Sequence, residues 1–489
     1  MKMKEKEKKE RGEKRNNGSS GRARRRKAVI FTGLTCVFVC GFVFAAVGAP
    51  PPTAAGAEGA EGGGGAGGGK TWYVDDDGGQ NFTRIQAAVV AASDGDTIFV
   101  YEGYYNEIVT LDKELTVLGE NKTTTFIDGN KIKDVVKITA DNCSLCGFTV
   151  KNSASSYVGV RVKGGKNANV SGNIIDECYH GIGIAHGSCV NRTSGALIAD
   201  NKISNGKYGI CVWTSDYNTI IGNDVHQIDS GAIYMSSSNH NTITDNYLNG
   251  NSYGIYIGYS SEHNTVANND IHSYSYGVWL EESSSYNTIA DNTIHSEYDH
   301  GINLYDSCNN NNIDGNDIVS ENYHGVYLYK SNYNTINDND VVSGPDTGDH
   351  GIYAKYSNQN TITNNDVTNC GSHGIYLYGS DDTKIINNTV SSTKYYSGIT
   401  LDCSDRNTIS GNDISKNSGA GISLYLTDNE DNTITNNTIT ANKCQGIRID
   451  SDSDDTTIEN NIISSNTGDG IYIRSSENTI TGNTIRENK

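Results

Sequence analysis

Short runs of alternating apolar and polar residues, each introduced by a glycine, recur along most of the chain. Typical runs are GIYI, GVYL and GITL, and their period of two is that of β-strands. The glycines recur at intervals of 22 to 28 residues, mostly 22 to 24. They are Gly159, Gly181, Gly209, Gly231, Gly254, Gly277, Gly301, Gly325, Gly351, Gly374, Gly398, Gly421, Gly446 and Gly470. The pattern predicts that residues 159–489 repeat one structural unit.

A second motif, N-T-I-x-x-N-x-I, follows the glycine in each repeat. Its second asparagine is present throughout, at Asn173, Asn201, Asn223, Asn246, Asn269, Asn292, Asn316, Asn339, Asn365, Asn388, Asn412, Asn437, Asn461 and Asn483. Short strands with Gly or Asn at the bends predict an all-β solenoid, whose coils pair in parallel ~4.8 Å apart. We expect the asparagines to stack, to hydrogen-bond from coil to coil and to adopt the left-handed backbone of a sharp bend. Their predicted role is structural.

Residues 71–158 are predicted to form an N-terminal cap and the first coils. Thr83-Arg84-Ile85-Gln86 fits a capping box at the start of a short helix, and Gly95 is placed to end that helix. Such a helix would cover the first coil and prevent edge-to-edge pairing.

The amino terminus predicts export. Residues 1–27 form a basic tail expected to stay in the cytoplasm, and residues 28–49 are an uncharged apolar run that fits a signal peptide or a transmembrane anchor. Residues 50–70 are a Pro/Gly/Ala-rich linker. The expected location is therefore the membrane-anchored cell surface, the periplasm or the exterior. Whether the apolar segment is cleaved is left open.

Composition and charge narrow the possible partners. Charged residues make up only 20% of the 489 residues, and Ile and Tyr recur to the end, so a disordered chain is excluded. The net charge is −20, and the 13 Lys/Arg and 4 Glu of the first 27 residues leave −29 for the rest. Such an acidic body repels phosphate backbones, so no nucleic-acid partner is expected.

The segment IQAAVVAASDGDTIFVYEGYYNEIVTLDKELTVLGE resembles the opening of pectin-lyase-like right-handed parallel β-helices. With the asparagine coils, residues 72–489 resemble surface and periplasmic proteins related to the NosD copper-protein-maturation family. The resemblance implies a right-handed parallel β-helix of roughly sixteen coils. It specifies the fold more strongly than the function, because the fold carries polysaccharide lyases, hydrolases, epimerases and non-enzymatic surface proteins alike.

The chain departs from the enzyme patterns of that fold. Lyases of this fold use a Lys or Arg base beside clustered Asp and Ca²⁺, whereas Lys and Arg are scarce on these repeats. The D-P-H-D motif of alginate epimerases is missing. We therefore assign no catalytic residue and expect a polysaccharide-binding or scaffolding protein. A carbohydrate-active enzyme and a NosD-like copper- or metal-handling protein remain as alternatives.

Four histidines precede the glycines of consecutive coils: His300, His324, His350 and His373. Stacking would place their rings about 5 Å apart, and Asp299 and Asp349, beside two of them, are expected to orient the imidazoles. Such a column predicts either structural stacking or a Cu or Zn site. Like-charged neighbours would lower the pKa values of these imidazoles.

Aromatic residues lie two and four positions beyond the same glycines. Since the Ile side chains should point inward, we expect these rings to face solvent and to form a sugar-stacking platform or a stabilising stack. The predicted platform consists of Trp279, Tyr305, Tyr327, Tyr329, Tyr353, Tyr376 and Tyr378.

Three weaker signals complete the set. Asp450, Asp452, Asp454 and Asp455 have partial calcium-loop spacing, and a solvated acidic edge is the alternative. The cysteines of the body are expected to be buried as small hydrophobic residues. The last coil has no evident cap, which predicts a blunted edge or an end-to-end contact with another protein.

Overall fold

The computed structural model describes residues 69–185, 193–425 and 429–489. All of them belong to one compact unit, Ala66–Lys489. No helix within this described part has the length and hydropathy of a membrane span. The predicted basic tail, the apolar segment and residues 50–68 of the linker lie outside the described residues, so those assignments stay predictions.

The described chain is a parallel β-helix of about 17 coils with 51 strands. Each complete coil contributes one strand in turn to three parallel sheets, which we call A, B and C. The predicted solenoid is confirmed, with a coil number close to the expected sixteen.

Sheet A comprises β1 (Thr71–Val74), β2 (Thr97–Val100), β5 (Thr116–Gly119), β8 (Ser144–Cys146), β11 (Asn169–Ser171), β14 (Leu197–Ala199), β17 (Thr219–Ile221), β20 (Thr242–Thr244), β23 (Thr265–Ala267), β26 (Thr288–Ala290), β29 (Asn312–Asp314), β32 (Thr335–Asn337), β35 (Thr361–Thr363), β38 (Lys384–Ile386), β41 (Thr408–Ser410), β44 (Thr433–Thr435), β47 (Thr457–Glu459) and β50 (Thr479–Thr481). Sheet B comprises β3 (Gly103–Asn106), β6 (Thr125–Asp128), β9 (Thr149–Lys151), β12 (Ile174–Asp176), β15 (Lys202–Gly206), β18 (Asp224–Ile228), β21 (Tyr247–Asn251), β24 (Asp270–Ser273), β27 (Thr293–Ser296), β30 (Asp317–Ser320), β33 (Asp340–Val342), β36 (Asp366–Thr368), β39 (Thr389–Ser391), β42 (Asp413–Ser415), β45 (Thr438–Thr440), β48 (Ile462–Ser464) and β51 (Thr484–Arg486). Sheet C comprises β4 (Val109–Leu111), β7 (Val136–Ile138), β10 (Val158–Val162), β13 (His180–Ile184), β16 (Tyr208–Trp213), β19 (Gly231–Ser236), β22 (Tyr253–Gly258), β25 (Val278–Glu281), β28 (Ile302–Tyr305), β31 (Val326–Tyr329), β34 (Ile352–Lys355), β37 (Ile375–Tyr378), β40 (Ile399–Asp402), β43 (Ile422–Tyr425), β46 (Ile447–Ile449) and β49 (Ile471–Ile473).

The core runs along the inside of the three sheets. In one typical coil, β26 and β27 each bury a single apolar residue, Ile289 and Ile294, whereas β28 buries two, Ile302 and Leu304. Each repeat thus contributes about four aliphatic side chains, each stacked on its equivalents above and below. In the last described coil the corresponding Ile480 and Ile485 are about half exposed, and the predicted end-to-end contact there stays a prediction.

The glycine column serves close packing rather than a bend. A Cβ on Gly277 would lie 2.2 Å from Cγ2 of Ile294 and 2.5 Å from the carbonyl oxygen of Gly301. One column member was misassigned from the sequence, because β19 aligns Ala232 rather than Gly231 with Gly254. A small side chain therefore suffices at that rung.

One helix, α1 (Ile85–Ala91), covers the first coil by burying Ile85, Ala88 and Val89. The predicted capping box is wrong, because the backbone N–H groups of Ile85 and Gln86 donate to the carboxylate of Glu107, at 2.8 and 3.0 Å. Glu107 lies directly after β3, 22 residues beyond Ile85, so a search for a local capping motif could not find it. Gly95 does not end the helix either; it adopts φ +86° in the turn before β2.

The second asparagine of the motif forms a continuous buried ladder, as predicted. Asn292 is 1% exposed, and its Oδ1 accepts from the backbone N–H and the Nδ2 of Asn269, at 2.9 and 3.0 Å. Its own N–H and Nδ2 donate to Oδ1 of Asn316, and Nδ2 also donates to the carbonyl of Val266, all at 3.0 Å. The left-handed position was predicted one residue too late, because Asp291 (φ 54°), which precedes the ladder residue, occupies it.

Most cysteines match their predicted role. Cys143, Cys178, Cys211, Cys308 and Cys370 are buried, and Cys189 lies outside the described residues. The prediction is wrong for Cys444, which is exposed, and Cys146 and Cys403 are only partly buried.

Replacing Asn292 with Ala should destabilise the solenoid by about 3 kcal/mol. The change leaves the N–H of Asn269 and the carbonyl of Val266 buried without their partners. Thr293→Ala, at the exposed neighbouring position, is the matched control and should cost less than about 0.5 kcal/mol. Urea denaturation followed by circular dichroism measures both, and equal effects would contradict the role of the ladder.

Candidate ligand-binding face on sheet C

Half-buried aromatic rings cover the outer face of sheet C, as the alternation predicts. In β25, β31, β34 and β37 the aliphatic residues point into the core and the intervening rings point outward. Strand register stacks the rings in one column, which we call the outer aromatic column. It consists of Tyr234, Tyr256, Trp279, Asn303, Tyr327, Tyr353 and Tyr376. Asn303 is its single non-aromatic rung within this span.

The histidines form a second column beside the first. Their ring centroids are 4.9 Å apart for His300–His324, 5.0 Å for His324–His350 and 5.4 Å for His350–His373, close to the expected spacing. The sequence showed only part of this column, because tyrosines fill equivalent rungs. The whole set, which we call the pre-glycine column, is His180, Tyr208, Gly231, Tyr253, Tyr276, His300, His324, His350 and His373. The sequence signal that was missed is the dipeptide Tyr-Gly, which occurs at Tyr208, Tyr253 and Tyr276 in the position that His-Gly occupies in other coils.

Two of these imidazoles act as hydrogen-bond acceptors within the fold. Nδ1 of His324 accepts the backbone N–H of His350 at 3.1 Å, and Nδ1 of His350 accepts that of His373 at 3.3 Å. Burial lowers the pKa of His300 to about 3 and that of His373 to about 4, and it lowers the pKa values of His324 and His350 well below the usual value. The predicted repulsion between imidazoliums is a smaller cause, acting on His324 and His350.

The two aspartates differ in what they contact. Oδ1 of Asp299 lies 3.6 Å from Nε2 of His300 and accepts the His300 backbone N–H at 3.0 Å. Asp349 instead accepts the backbone N–H of Asp346 at 2.9 Å, so it holds its own loop rather than an imidazole. The expectation that both carboxylates orient imidazoles is therefore wrong for Asp349.

The geometry of the histidine column does not gather ligand atoms around one point. Parallel rings keep their nitrogens at successive levels, and two Nδ1 atoms already accept backbone hydrogen bonds. Among the described residues, the one group of three potential metal ligands within 4.8 Å of one another is Asp75, Asp76 and Asp77. Copper or zinc binding by the column stays a prediction.

The predicted calcium residues are dispersed among different partners. Asp450 pairs with the Arg448 guanidinium, with Nη2 and Oδ2 3.0 Å apart. Asp454 accepts the backbone N–H of Ser476 at 2.7 Å, whereas Asp452 and Asp455 are exposed at left-handed turn positions. Calcium binding by these four residues also stays a prediction.

Phenol groups on the face are held by carboxylates. The hydroxyl of Tyr376 donates to Oδ2 of Asp402 at 2.7 Å, and that of Tyr256 donates to Oε2 of Glu281 at 3.2 Å. Burial raises the pKa of Tyr327 to about 12, so this phenol keeps its proton. The face therefore presents protonated hydroxyls and carboxylates between its rings.

The orientation of a ring decides what it can offer to a ligand. Tyr353 and Tyr376 are stacked at 5.1 Å and 18°, and Tyr305 and Tyr329 at 4.9 Å and 22°, so these rings cover one another's faces. Trp279 instead lies at 84° to Tyr256, its strand neighbour, and at 35° to Tyr276, whose centroid is 4.7 Å away. A ring turned across its strand neighbour is not covered face to face by that neighbour.

Two further rings, which the sequence did not single out, are also turned across their neighbours. Tyr323 lies at 73° to His300 and is 47% exposed; Tyr356 lies at 67° to Tyr329 and is 45% exposed. Both lie off the strand period, one directly before His324 and the other in a left-handed turn after β34. Spacing alone therefore could not find them.

The family model described as "Right handed beta helix region" matches residues 186–341 and 324–485. The chain belongs to this family. The predicted right-handed, pectin-lyase-like β-helix is thereby confirmed. No curated protein matches the chain at a significant level.

Solved structures show the same fold. The pre-mature gene product 12 of bacteriophage phi29 is 12% identical, with a TM-score of 0.53 over 80% of this chain and 69% of that one. The A-module of the Azotobacter vinelandii mannuronan C-5 epimerase AlgE6 is 15% identical, with a TM-score of 0.40 over 82% and 94%. DFA-IIIase from Arthrobacter chlorophenolicus A6 is 16% identical, with a TM-score of 0.42 over 60% and 94%. At these identities the likeness shows the fold alone.

The buried histidines should make the protein acid-sensitive. Their folded-state pKa values lie below the unfolded value of about 6.5, so the unfolded chain binds more protons and stability falls as pH drops below about 6.5. The melting temperature should therefore decrease from pH 7 to pH 5. The double variant His324→Phe/His350→Phe should show a smaller decrease, although it is less stable overall. His240→Phe, at an exposed histidine, should show the same decrease in melting temperature as the unmodified chain. If the double variant also shows that same decrease, the buried histidines are not the cause of the acid sensitivity.

Proposed function

We propose that the protein is an exported binding module that holds a neutral polysaccharide along the outer face of sheet C. The observation that carries the proposal is the set of rings turned across the stack, Trp279, Tyr323 and Tyr356, on a rigid layer of Tyr and His. Aromatic faces pack on the apolar faces of sugar rings, and phenols and carboxylates hydrogen-bond to sugar hydroxyls.

The repeat of the solenoid suits a repeating ligand. Successive coils present equivalent positions every ~4.8 Å, which is comparable to the length of one hexose unit in an extended chain. Strand register places Trp279 three coils before Tyr353. Tyr353 belongs to β34, and Tyr356 lies in the turn directly after that strand. A short stretch of extended glycan therefore matches the distance between the turned rings.

Charge favours a neutral glycan over an acidic one. The chain has a net charge of −20, and the proposed face carries the half-buried Glu281 and the buried Asp402. Carboxylates repel uronate or sulfate groups, whereas they accept hydrogen bonds from neutral sugar hydroxyls.

Two further considerations support an exported binding role. The basic tail and apolar segment of residues 1–49 are typical of export, and extracellular or periplasmic space is where polysaccharides are met. The Glu281 and Asp402 carboxylates each accept a phenol hydrogen bond, an arrangement that suits recognition. A carbohydrate-active enzyme on the same face is the alternative.

A glycan panel tests the proposal. The full chain should bind a neutral polysaccharide, and Trp279→Ala and Tyr356→Ala should each weaken binding about tenfold, a loss of about 1.4 kcal/mol. Tyr333→Ala is the matched control, because Tyr333 is also an exposed tyrosine (54%) in a left-handed turn between sheets C and A, but it lies at the sheet A end of that connection, two residues before β32, whereas Tyr356 directly follows β34 of sheet C. Its binding should equal that of the unmodified chain.

Two results would count against the proposal. Equal binding by Trp279→Ala, Tyr356→Ala and the control would place the ligand elsewhere. Release of shortened or unsaturated products from any glycan, followed by chromatography of the reaction, would favour the enzyme alternative.

A further inference from the structure

A small polar hollow, which we call the sheet B hollow, lies on the outer face of sheet B, away from the proposed glycan face of sheet C. It has a volume of about 130 Å³, and its lining includes Asn249, His272, Tyr274, His295 and Glu297. Sites that enclose drug-sized ligands measure about 300 to 1,000 Å³, so this hollow has room for one small ligand about the size of a single sugar ring.

One wall of the hollow is an unstacked aromatic ring. Tyr274 is 49% exposed, and no aromatic ring in the described part of the chain stacks on it. Its backbone is held by both neighbouring coils, because its N–H donates to the carbonyl of Asn251 at 2.9 Å and its carbonyl accepts from the N–H of Tyr298 at 2.8 Å. An exposed, unstacked ring on a fixed backbone can pack on the apolar face of a sugar.

The polar groups of the lining that have no partner are hydrogen-bond acceptors. Glu297 is half-buried, and its carboxylate makes no hydrogen bond or ion pair with any described residue. The Nδ2 of Asn249 donates to the hydroxyl of Tyr247 at 2.9 Å, whereas its Oδ1 accepts no hydrogen bond from the residues that the structure describes. Unused acceptors suit a ligand that is rich in donors, as the hydroxyls of a sugar are.

The charges around the hollow disfavour an acidic ligand. Oδ1 of Asp270 lies 2.9 Å from Nε2 of His272, and Oε1 of Glu321 lies 3.1 Å from Nε2 of His295. Together with Glu297 these carboxylates repel uronate and sulfate groups. An organic cation would be attracted, but two of the three carboxylates are already paired with imidazoles. A neutral sugar can use the unpaired carboxylate and the amide together.

We propose that the sheet B hollow binds one neutral sugar unit. The sugar ring packs on Tyr274, and its hydroxyls donate to the Glu297 carboxylate and to Oδ1 of Asn249. The site goes beyond the proposed glycan face, because it lies on a different sheet and shares no residue with the rings proposed there. It can therefore be tested on its own.

The next coil supplies a matched control. Tyr298 lies three residues before Gly301, as Tyr274 lies three residues before Gly277. It is 65% exposed and does not line the hollow. Tyr274→Ala and Tyr298→Ala therefore remove the same side chain from corresponding exposed positions, and only the first removes a wall of the hollow.

NMR spectra of the full chain with isotope-labelled histidine test the proposal. The probes are the methyl glycosides of glucose, galactose, mannose, xylose and N-acetylglucosamine. At least one of them should shift the signals of His272 and His295 in a saturable way, because both imidazoles line the hollow. The signals of the exposed His240 and His263, which lie outside the hollow, should stay in place.

Variants identify the residues that hold the sugar. Tyr274→Ala and Glu297→Gln should each weaken binding of that glycoside about tenfold. Tyr298→Ala and Trp279→Ala should bind it as the unmodified chain does. Both tyrosine variants should keep the melting temperature of the unmodified chain, because both side chains are exposed.

Three results would overturn the proposal. The first is that no neutral glycoside of the panel shifts the two histidine signals. The second is that Tyr298→Ala weakens binding as much as Tyr274→Ala. The third is an ionic site, in which spermidine or methyl glucuronide shifts the signals at lower concentration than any neutral glycoside. None of these results bears on the sheet C face, which the Trp279→Ala variant tests with polysaccharides.

Discussion

The buried asparagine ladder is the interaction on which the rest of the structure depends. The ladder amides from Asn173 to Asn461 are buried and use their donors and acceptors between coils, as Asn292 does with Asn269 and Asn316. A slip of one residue would bury these amides without partners and turn the inward Ile residues to the outside. The ladder thus fixes the register of the coils from Asn173 to Asn483. Fixed register converts a repeat of about 23 residues in the sequence into straight columns of side chains on the surface.

Straight columns of side chains determine which aromatic rings are covered by their neighbours. Where neighbouring rungs carry the same aromatic residue, the rings stack on one another and use their faces for stability. A ring whose neighbour in the column is not aromatic is not stacked on that side. Asn303 interrupts the outer aromatic column next to Trp279, and within the described residues Trp279 Nε1 and Asn303 Oδ1 have no hydrogen-bond partner. Of the rings in the proposed glycan site, Trp279 lies at this change in the column, whereas Tyr323 and Tyr356 lie off the strand period.

The sequence predicts whatever repeats with the coil and misses what depends on orientation. Inward isoleucines, the asparagine ladder and the 5 Å spacing of the histidines follow from periodicity and register alone. The Glu107 cap of α1 and the pairing of Asp349 with its own loop required contacts between distant or irregular segments. The turned rings of Tyr323 and Tyr356 lie off the period, and ring angle leaves no trace in residue spacing. Asp299 was found from the sequence because it directly precedes His300, whereas the tyrosine rungs of the pre-glycine column were missed.

Fluorescence of Trp279 tests the account of the sheet C face most directly. The chain has three tryptophans, so the variant Trp72→Phe/Trp213→Phe leaves Trp279 as the only one. Addition of a bound neutral glycan should shift its emission to shorter wavelength, because a sugar face would exclude water from the indole. The shift should saturate at the same glycan concentration as binding. Saturable glycan binding with unchanged Trp279 emission would contradict the account.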